Sequence, residues 1–160
     1  MKDIKLSITY HLYDYTELCS RDQKLIDAAK EATYQSYAPY SHFSVGTAAY
    51  LANGEMLCGS NQENAAYPSG TCAERTLLFY ANSTYPDAAI ETIAIAARNE
   101  TGDFTPQATP PCGACRQVML ETEKRGKSPL RILLYSSEGV IEIKSVKDIL
   151  PLSFNSSNMK

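Results

Sequence analysis

Two consecutive prolines, Pro110 and Pro111, stand directly ahead of Cys112-Gly113-Ala114-Cys115 and of a helical pattern that runs to Lys124. Proline carries no amide hydrogen and holds φ near −65°, so a helix tolerates it in its first turn and breaks where it falls inside. A helix therefore has to start at this Cys-x-x-Cys pair, which places both thiols on its opening turn. Such a pair can close a redox disulfide, hold half of a structural zinc site, or supply part of a catalytic metal centre. The remainder of the chain has to choose among these.

Around that fixed point the periodicities alternate. Ile4, Leu6, Ile8, Tyr10 and Leu12 repeat every second residue and predict an N-terminal, accessory strand. Ser20 and Gln23 have capping-box spacing, and Leu25, Ala29, Ala32 and Ser36 then share one face of a helix reaching about Tyr37, ended by Pro39. Phe43 to Leu51 alternates as a strand up to Asn53-Gly54, which predicts a type I′ turn and a returning strand over Met56 to Gly59. Cys72 to Ala81 reads as helix, Ile90 to Ala97 as a buried strand, and Leu130 to Tyr135 as another. The turn Ser136-Ser137-Glu138-Gly139 is too short for a parallel crossover, so Val140 to Lys144 should return antiparallel, followed by a short helix from Ser145 to Leu150. The sum is an α/β chain with a five-stranded mixed sheet, its last two strands antiparallel, plus the N-terminal strand. Nothing divides the 160 residues, so they are expected to form a single domain.

Composition narrows the partners. A formal charge of −3 gives no cationic footprint for a polynucleotide, and no apolar run spans a bilayer. The opening residues lack the apolar core of a secretory signal, which points to a cytoplasmic location. Five cysteines, an odd number, disfavour a disulfide framework there. Cys19 and Cys58 stand alone and read as small buried or half-buried thiols.

Cys72, forty residues before Cys112, brings the clustered thiols to three, the number needed for a catalytic zinc that leaves a fourth position to water. All three lie at helix starts, where the dipole favours thiolates. Glu74 has two readings: with Thr71 it has capping-box spacing, and beside an open metal position a carboxylate can shuttle protons. Cys-Ala-Glu followed by Pro-Cys-x-x-Cys decides between them, because Cys/His-x-Glu with Pro-Cys-x-x-Cys is the signature of zinc-dependent nucleobase deaminases. A redox pair accounts for neither Cys72 nor Glu74, and neither histidine is well placed in sequence as a fourth ligand.

The blocks Ala38–Leu51, Gly59–Thr76 and Pro111–Glu121, with the tail Leu150–Phe154, resemble those of the small cytidine deaminases, and cover most of the chain from Leu25 to Phe154. Residues 1–16 fall outside the resemblance. Cysteine at position 72 resembles the three-cysteine, homotetrameric branch. The resemblance implies a three-layer α/β/α fold, one Zn2+ per subunit on Cys72, Cys112 and Cys115, and Glu74 as the proton shuttle. It implies further that Asn61 and Glu63 bind the ribose 3′-hydroxyl, that Phe43 packs on the pyrimidine, and that Ala73 lies at the base. Tyr67 falls in the same shared region, and Phe154 resembles an aromatic that reaches a neighbouring subunit's pocket. Arg75 corresponds to an arginine that offsets the thiolate charge. Ser44, where the family usually has proline, and Pro110, where a small residue is usual, depart from the pattern. The implied activity is hydrolysis of cytidine and 2′-deoxycytidine to the uridine forms with release of ammonia. A deaminase of another cytosine nucleoside, of the blasticidin type, and a silent zinc-stabilised RNA-binding module are the alternatives.

Overall fold

The structure, a computed structural model, describes residues 1–159. Six strands form one mixed sheet in the order β1-β6-β5-β4-β2-β3. These are β1 (His11–Tyr13), β2 (Ser44–Leu51), β3 (Met56–Ser60), β4 (Ile90–Arg98), β5 (Arg131–Ser136) and β6 (Gly139–Ile143). β4 and β5 run parallel, with Ile93 opposite Ile132, and every other pairing is antiparallel. Helix α1 (Ser20–Ala32) covers one face, and α2 (Ala73–Thr84) and α3 (Gly113–Gly126) cover the other.

Alternation along β4 sets how close each layer comes. Ile93 and Ile95 fill the core under α2 and α3 with Leu77, Leu78 and Met119, while Ala94 and Ala96 face α1. The small residues let α1 settle against the sheet, and Gly46 on β2 takes this furthest: a Cβ there would lie 2.2 Å from the Ala29 carbonyl oxygen. Gly59 does the same for α2, since a Cβ would come within 2.9 Å of the Ala73 carbonyl oxygen and of Leu77. Thr47, fully buried, places its hydroxyl 3.2 Å from that Ala73 oxygen. The first turn of α2 is thus seated on β2 and β3.

Several local expectations are corrected. The N-terminal strand is His11–Tyr13 rather than Ile4 to Leu12, and Ile4 and Leu6 are exposed. Antiparallel pairing of His11 with Glu142 leaves at most one further β6 residue, Ile143, for anything upstream, so the alternation has no ladder to join. The residue ahead of α1 is Cys19, not Ser20, and the Gln23 amide donates instead to the Tyr15 and Leu18 carbonyls. α1 ends at Ala32 with a 3₁₀ turn over Thr33–Gln35. The β2–β3 turn centres on Ala52 and Asn53; Gly54 alone is left-handed, φ +91°, and Asn53 accepts the Glu55 amide rather than adopting positive φ. The helix expected from Ser145 to Leu150 is one 3₁₀ turn, Val146–Asp148, and a second 3₁₀ turn follows over Ser156–Met159. Cys19 and Cys58 are exposed.

The last hairpin is antiparallel as expected, Ser136 facing Gly139. Its edge is tied down by charge. Arg131 on β5 holds the Asp22 carboxylate with two bonds, 2.7 and 2.8 Å, and bonds Glu142 on β6 as well. Glu142 in turn meets Tyr13 and His11 of β1.

Candidate active site and metal centre

Each thiol of the expected trio stands at a helix start because the chain enters its helix extended. Cys72 (φ −72°, ψ 154°) precedes α2 and Cys112 (φ −65°, ψ 166°) precedes α3, with Cys115 one turn into α3. The two helices lie side by side on one face of the sheet, and this brings together sulfurs that are forty residues apart. Cys72 Sγ is 3.8 Å from Cys112 Sγ, which is 3.4 Å from Cys115 Sγ, and all three lie within 4.8 Å of one another. Zinc–sulfur bonds of about 2.3 Å at tetrahedral angles space sulfurs by about 3.8 Å, so the trio fits the ion. Among the described residues, no histidine, carboxylate or fourth cysteine joins the group. Such a set leaves one coordination position free, as catalytic zinc sites do.

The electrostatics favour thiolate. The neighbouring Cys115 thiol, with Arg75 and Cys112, lowers the Cys72 thiol to about 5. The same contact with Cys72, together with burial, raises Cys115, so in the metal-free cluster the proton between them stays on Cys115. Arg75 Nη2 stands 3.8 Å from Cys72 Sγ.

Glu74 is 4% exposed on the first turn of α2. Burial pushes its carboxyl above the ordinary carboxylate range, and the negative Cys72 adds to this. The capping-box reading of Glu74 falls, since Cys72 rather than Thr71 precedes the helix and no side chain caps it. The Thr71 hydroxyl points instead to the Cys72 carbonyl.

A zinc-binding deaminase model, "Cytidine and deoxycytidylate deaminase zinc-binding region", matches residues 19–127, more than half of the chain. The chain belongs to that family. The cytidine deaminase of Halalkalibacterium halodurans is 38% identical over 137 residues, 86% of this chain and 96% of its own. That of Sporosarcina psychrophila is also 38% identical, over 86% of this chain and 93% of its own. The crystal structure of the cytidine deaminase from Burkholderia pseudomallei superposes with a TM-score of 0.70 at 37% identity, covering 86% of this chain and all of that one.

Beside the deaminase metal cluster opens a cleft of about 460 Å³, lined by Cys72, Arg75, Asn61, Glu63, Tyr40 and Tyr67 among others. Glu63 accepts the Tyr40 and Ser41 amides at 2.9 and 3.2 Å. Bonds from Ser41 and Tyr40 hold its carboxyl below the usual range, so it is ionised at neutral pH. Asn61 is more committed than its sequence indicated: its oxygen accepts Ser36 Oγ at 2.5 Å and the Val45 amide at 2.8 Å, while Nδ2 donates to the Phe43 carbonyl. One amide N–H is left over. Tyr67 packs edge-on against Tyr40, 6.1 Å between ring centres.

Glu74, Cys112 and Cys115 adjoin this cleft through Cys72 without lining it, and three of the expected substrate contacts, Phe43, Ala73 and Phe154, do not line it either. Phe43 is half-buried at the entry to β2, its amide bonded to Ser41 Oγ. Ala73 is fully buried beneath the start of α2. Phe154 is exposed on the surface of the single chain, with its carbonyl held by Gln117. The clasp of Glu63 on the Tyr40–Ser41 backbone was missed in the sequence, because a bond to main-chain amides leaves no mark on residue identity.

Proposed function

We propose that this deaminase hydrolyses cytidine and 2′-deoxycytidine to uridine and 2′-deoxyuridine, releasing ammonia. The observation that carries the reading is a three-sulfur metal set with, among the described residues, no fourth protein ligand and a buried glutamate two residues from one of its members. Zinc on Cys72, Cys112 and Cys115 supplies Lewis acidity that makes water a nucleophile near neutral pH.

Glu74 moves the protons. A carboxyl whose pKa is raised toward the working pH can take both protons of the attacking water in turn, passing the first to the ring nitrogen and the second to the departing amine. Water and cytidine enter, and uridine and ammonia leave, so Glu74 ends the cycle as it began. Arg75 offsets the net −1 charge that three thiolates leave on a zinc(II) site. Glu63, ionised and with carboxylate capacity left over, accepts the ribose 3′-hydroxyl proton, and the remaining Asn61 N–H donates to that oxygen. Holding the sugar fixes the base against the nucleophile, so these contacts act on turnover as well as on binding.

The family resemblance assigns Phe43 to packing on the pyrimidine and Ala73 to the side of the ring, although neither lines the cleft of the single chain. Tyr67 and Phe154, both largely exposed, support a homotetramer in which neighbouring chains complete one another's clefts. Among the described residues no helix is long and apolar enough to cross a membrane, and a cytoplasmic location fits the free thiols.

Adding cytidine to purified protein should produce the ultraviolet change of conversion to uridine with stoichiometric ammonia, at about one zinc per chain. Zinc-loaded protein that turned over only an aminoacylated cytosine nucleoside, or bound RNA and released no ammonia, would overturn this reading.

A further inference from the structure

Two α3 residues directly after the ligands, Arg116 and Gln117, have no part in the chemistry above. Between Pro106 and Pro111 no backbone–backbone hydrogen bond forms among the described residues. Three of those residues, Pro106, Pro110 and Pro111, have no amide hydrogen to give, so the approach to Cys112 has little to fix it. Arg116 supplies what is missing. Its Nε donates to the Pro111 carbonyl at 2.8 Å, and its backbone amide donates to the Cys112 carbonyl at 2.9 Å, so one residue grips the chain on both sides of the ligand's α-carbon.

The same guanidinium reaches the other way. Nη1 donates at 2.8 Å to the Ile149 carbonyl, where the chain leaves the 3₁₀ turn Val146–Asp148 for the segment Leu150–Phe154. Gln117 holds the far end of that segment through the Phe154 carbonyl at 2.9 Å, while the Pro111 carbonyl is bonded by Arg116. We infer that Arg116 is a positioning residue that fixes Cys112 for zinc and joins that ligand to the C-terminal segment through one guanidinium. Cys115, inside the first turn of α3, and Cys72, seated by α2 on Gly59 and Thr47, have their own supports. Cys112 depends on the bridge.

The inference rests on the three-cysteine zinc reading and is tested apart from turnover. Zinc-loaded wild type, Arg116→Ala, Arg116→Lys, Gln117→Ala and, as a control for general destabilisation, Asp22→Asn are compared. The rate of zinc transfer to a chromogenic chelator and the rate of chymotryptic cleavage at Leu152 or Phe154 are both followed. Losing charged hydrogen bonds of this type is worth about tenfold or more. Arg116→Ala should therefore release zinc at least about tenfold faster and expose the tail to cleavage. Arg116→Lys, which can reach one carbonyl but not both in a fixed fork, should fall between wild type and Arg116→Ala. Gln117→Ala should speed cleavage alone, and Asp22→Asn should lower thermal stability without changing zinc release.

Zinc release within twofold of wild type in folded Arg116→Ala would overturn the inference, as would equal acceleration in Gln117→Ala. If Arg116→Ala does not fold, Arg116→Lys against Gln117→Ala decides in the same way. Wild type that holds zinc on three sulfurs yet leaves cytidine untouched would sink the substrate assignment and leave the release comparison standing.

Discussion

At the scale of single residues, the proposed mechanism separates a group that moves protons from groups that hold metal. Glu74 reaches no metal ligand position, so Glu74→Gln should keep zinc near the parent's stoichiometry while turnover falls by orders of magnitude. Zinc analysis beside a cytidine assay checks this, and an active Glu74→Gln would move the proton role elsewhere. Removing the metal should expose a different property. With its pKa lowered to about 5, Cys72 of the stripped protein is a thiolate at neutral pH, whereas the raised Cys115 keeps its proton. Iodoacetamide should therefore label Cys72 ahead of Cys115, with a rate that falls on acidification through about pH 5, and zinc should protect it. Peptide mapping after short exposure reads the order. Of these residues the sequence displayed the chemistry well, since thiols and a carboxylate at fixed spacing carry their function in their identity. The duties of Asn61 were half hidden, because three of its bonds go to Ser36, Val45 and Phe43, whose proximity arises from the fold.

At the scale of elements, placement of α2 is what the site depends on most. A methyl at Gly59 would press within 2.9 Å of the Ala73 carbonyl and Leu77, pushing the opening turn of α2 away from the sheet. Gly59→Ala should cost about 1–3 kcal/mol in urea titrations and a larger share of activity, because Cys72 and Glu74 both ride on that turn. Gly46→Ala offers the contrast. Its 2.2 Å clash with Ala29 lies on the α1 face, so stability should drop by about 3 kcal/mol or more before the metal site feels it. Elements whose pattern met a partner were legible: β2 follows its alternation, β4 is the buried apolar run, β5 and β6 pair across the short turn, and the prolines place α3. Residues 4–10 show why alternation alone misleads, since a strand needs a ladder and β6 ends at Ile143. The turn at Gly54 could not be read from Asn53-Gly54 alone, because the residue that takes positive φ depends on the register of the two strands.

At the scale of the molecule, sheet order was the part the chain concealed. Nothing in spacing says that β4 lies between β2 and β5 or that β1 caps β6; that order lies in edge-to-edge pairing between strands far apart in the chain. The charged clasp of Asp22, Arg131 and Glu142 joins α1, β5 and β6, and it gives the whole fold an acid limit. Arg131 holds Asp22 below the usual carboxylate range, and Glu142, despite the opposing effect of burial, is held low by Arg131 too. Groups with lowered folded pKa stabilise fully above their unfolded values and lose this as pH falls through the folded ones, so stability should decline below about pH 4. Asp22→Asn should lose about 1–3 kcal/mol at pH 7 and show a flatter acid decline, measured by urea titration between pH 7 and 3.

All of this converges on one metal held by three sulfurs and a fourth, non-protein ligand. X-ray absorption at the zinc edge of the purified protein tests it directly. The account predicts a first shell of three sulfurs near 2.3 Å with a single light oxygen; two sulfurs, four sulfurs, or the scattering signature of a coordinated imidazole would contradict it.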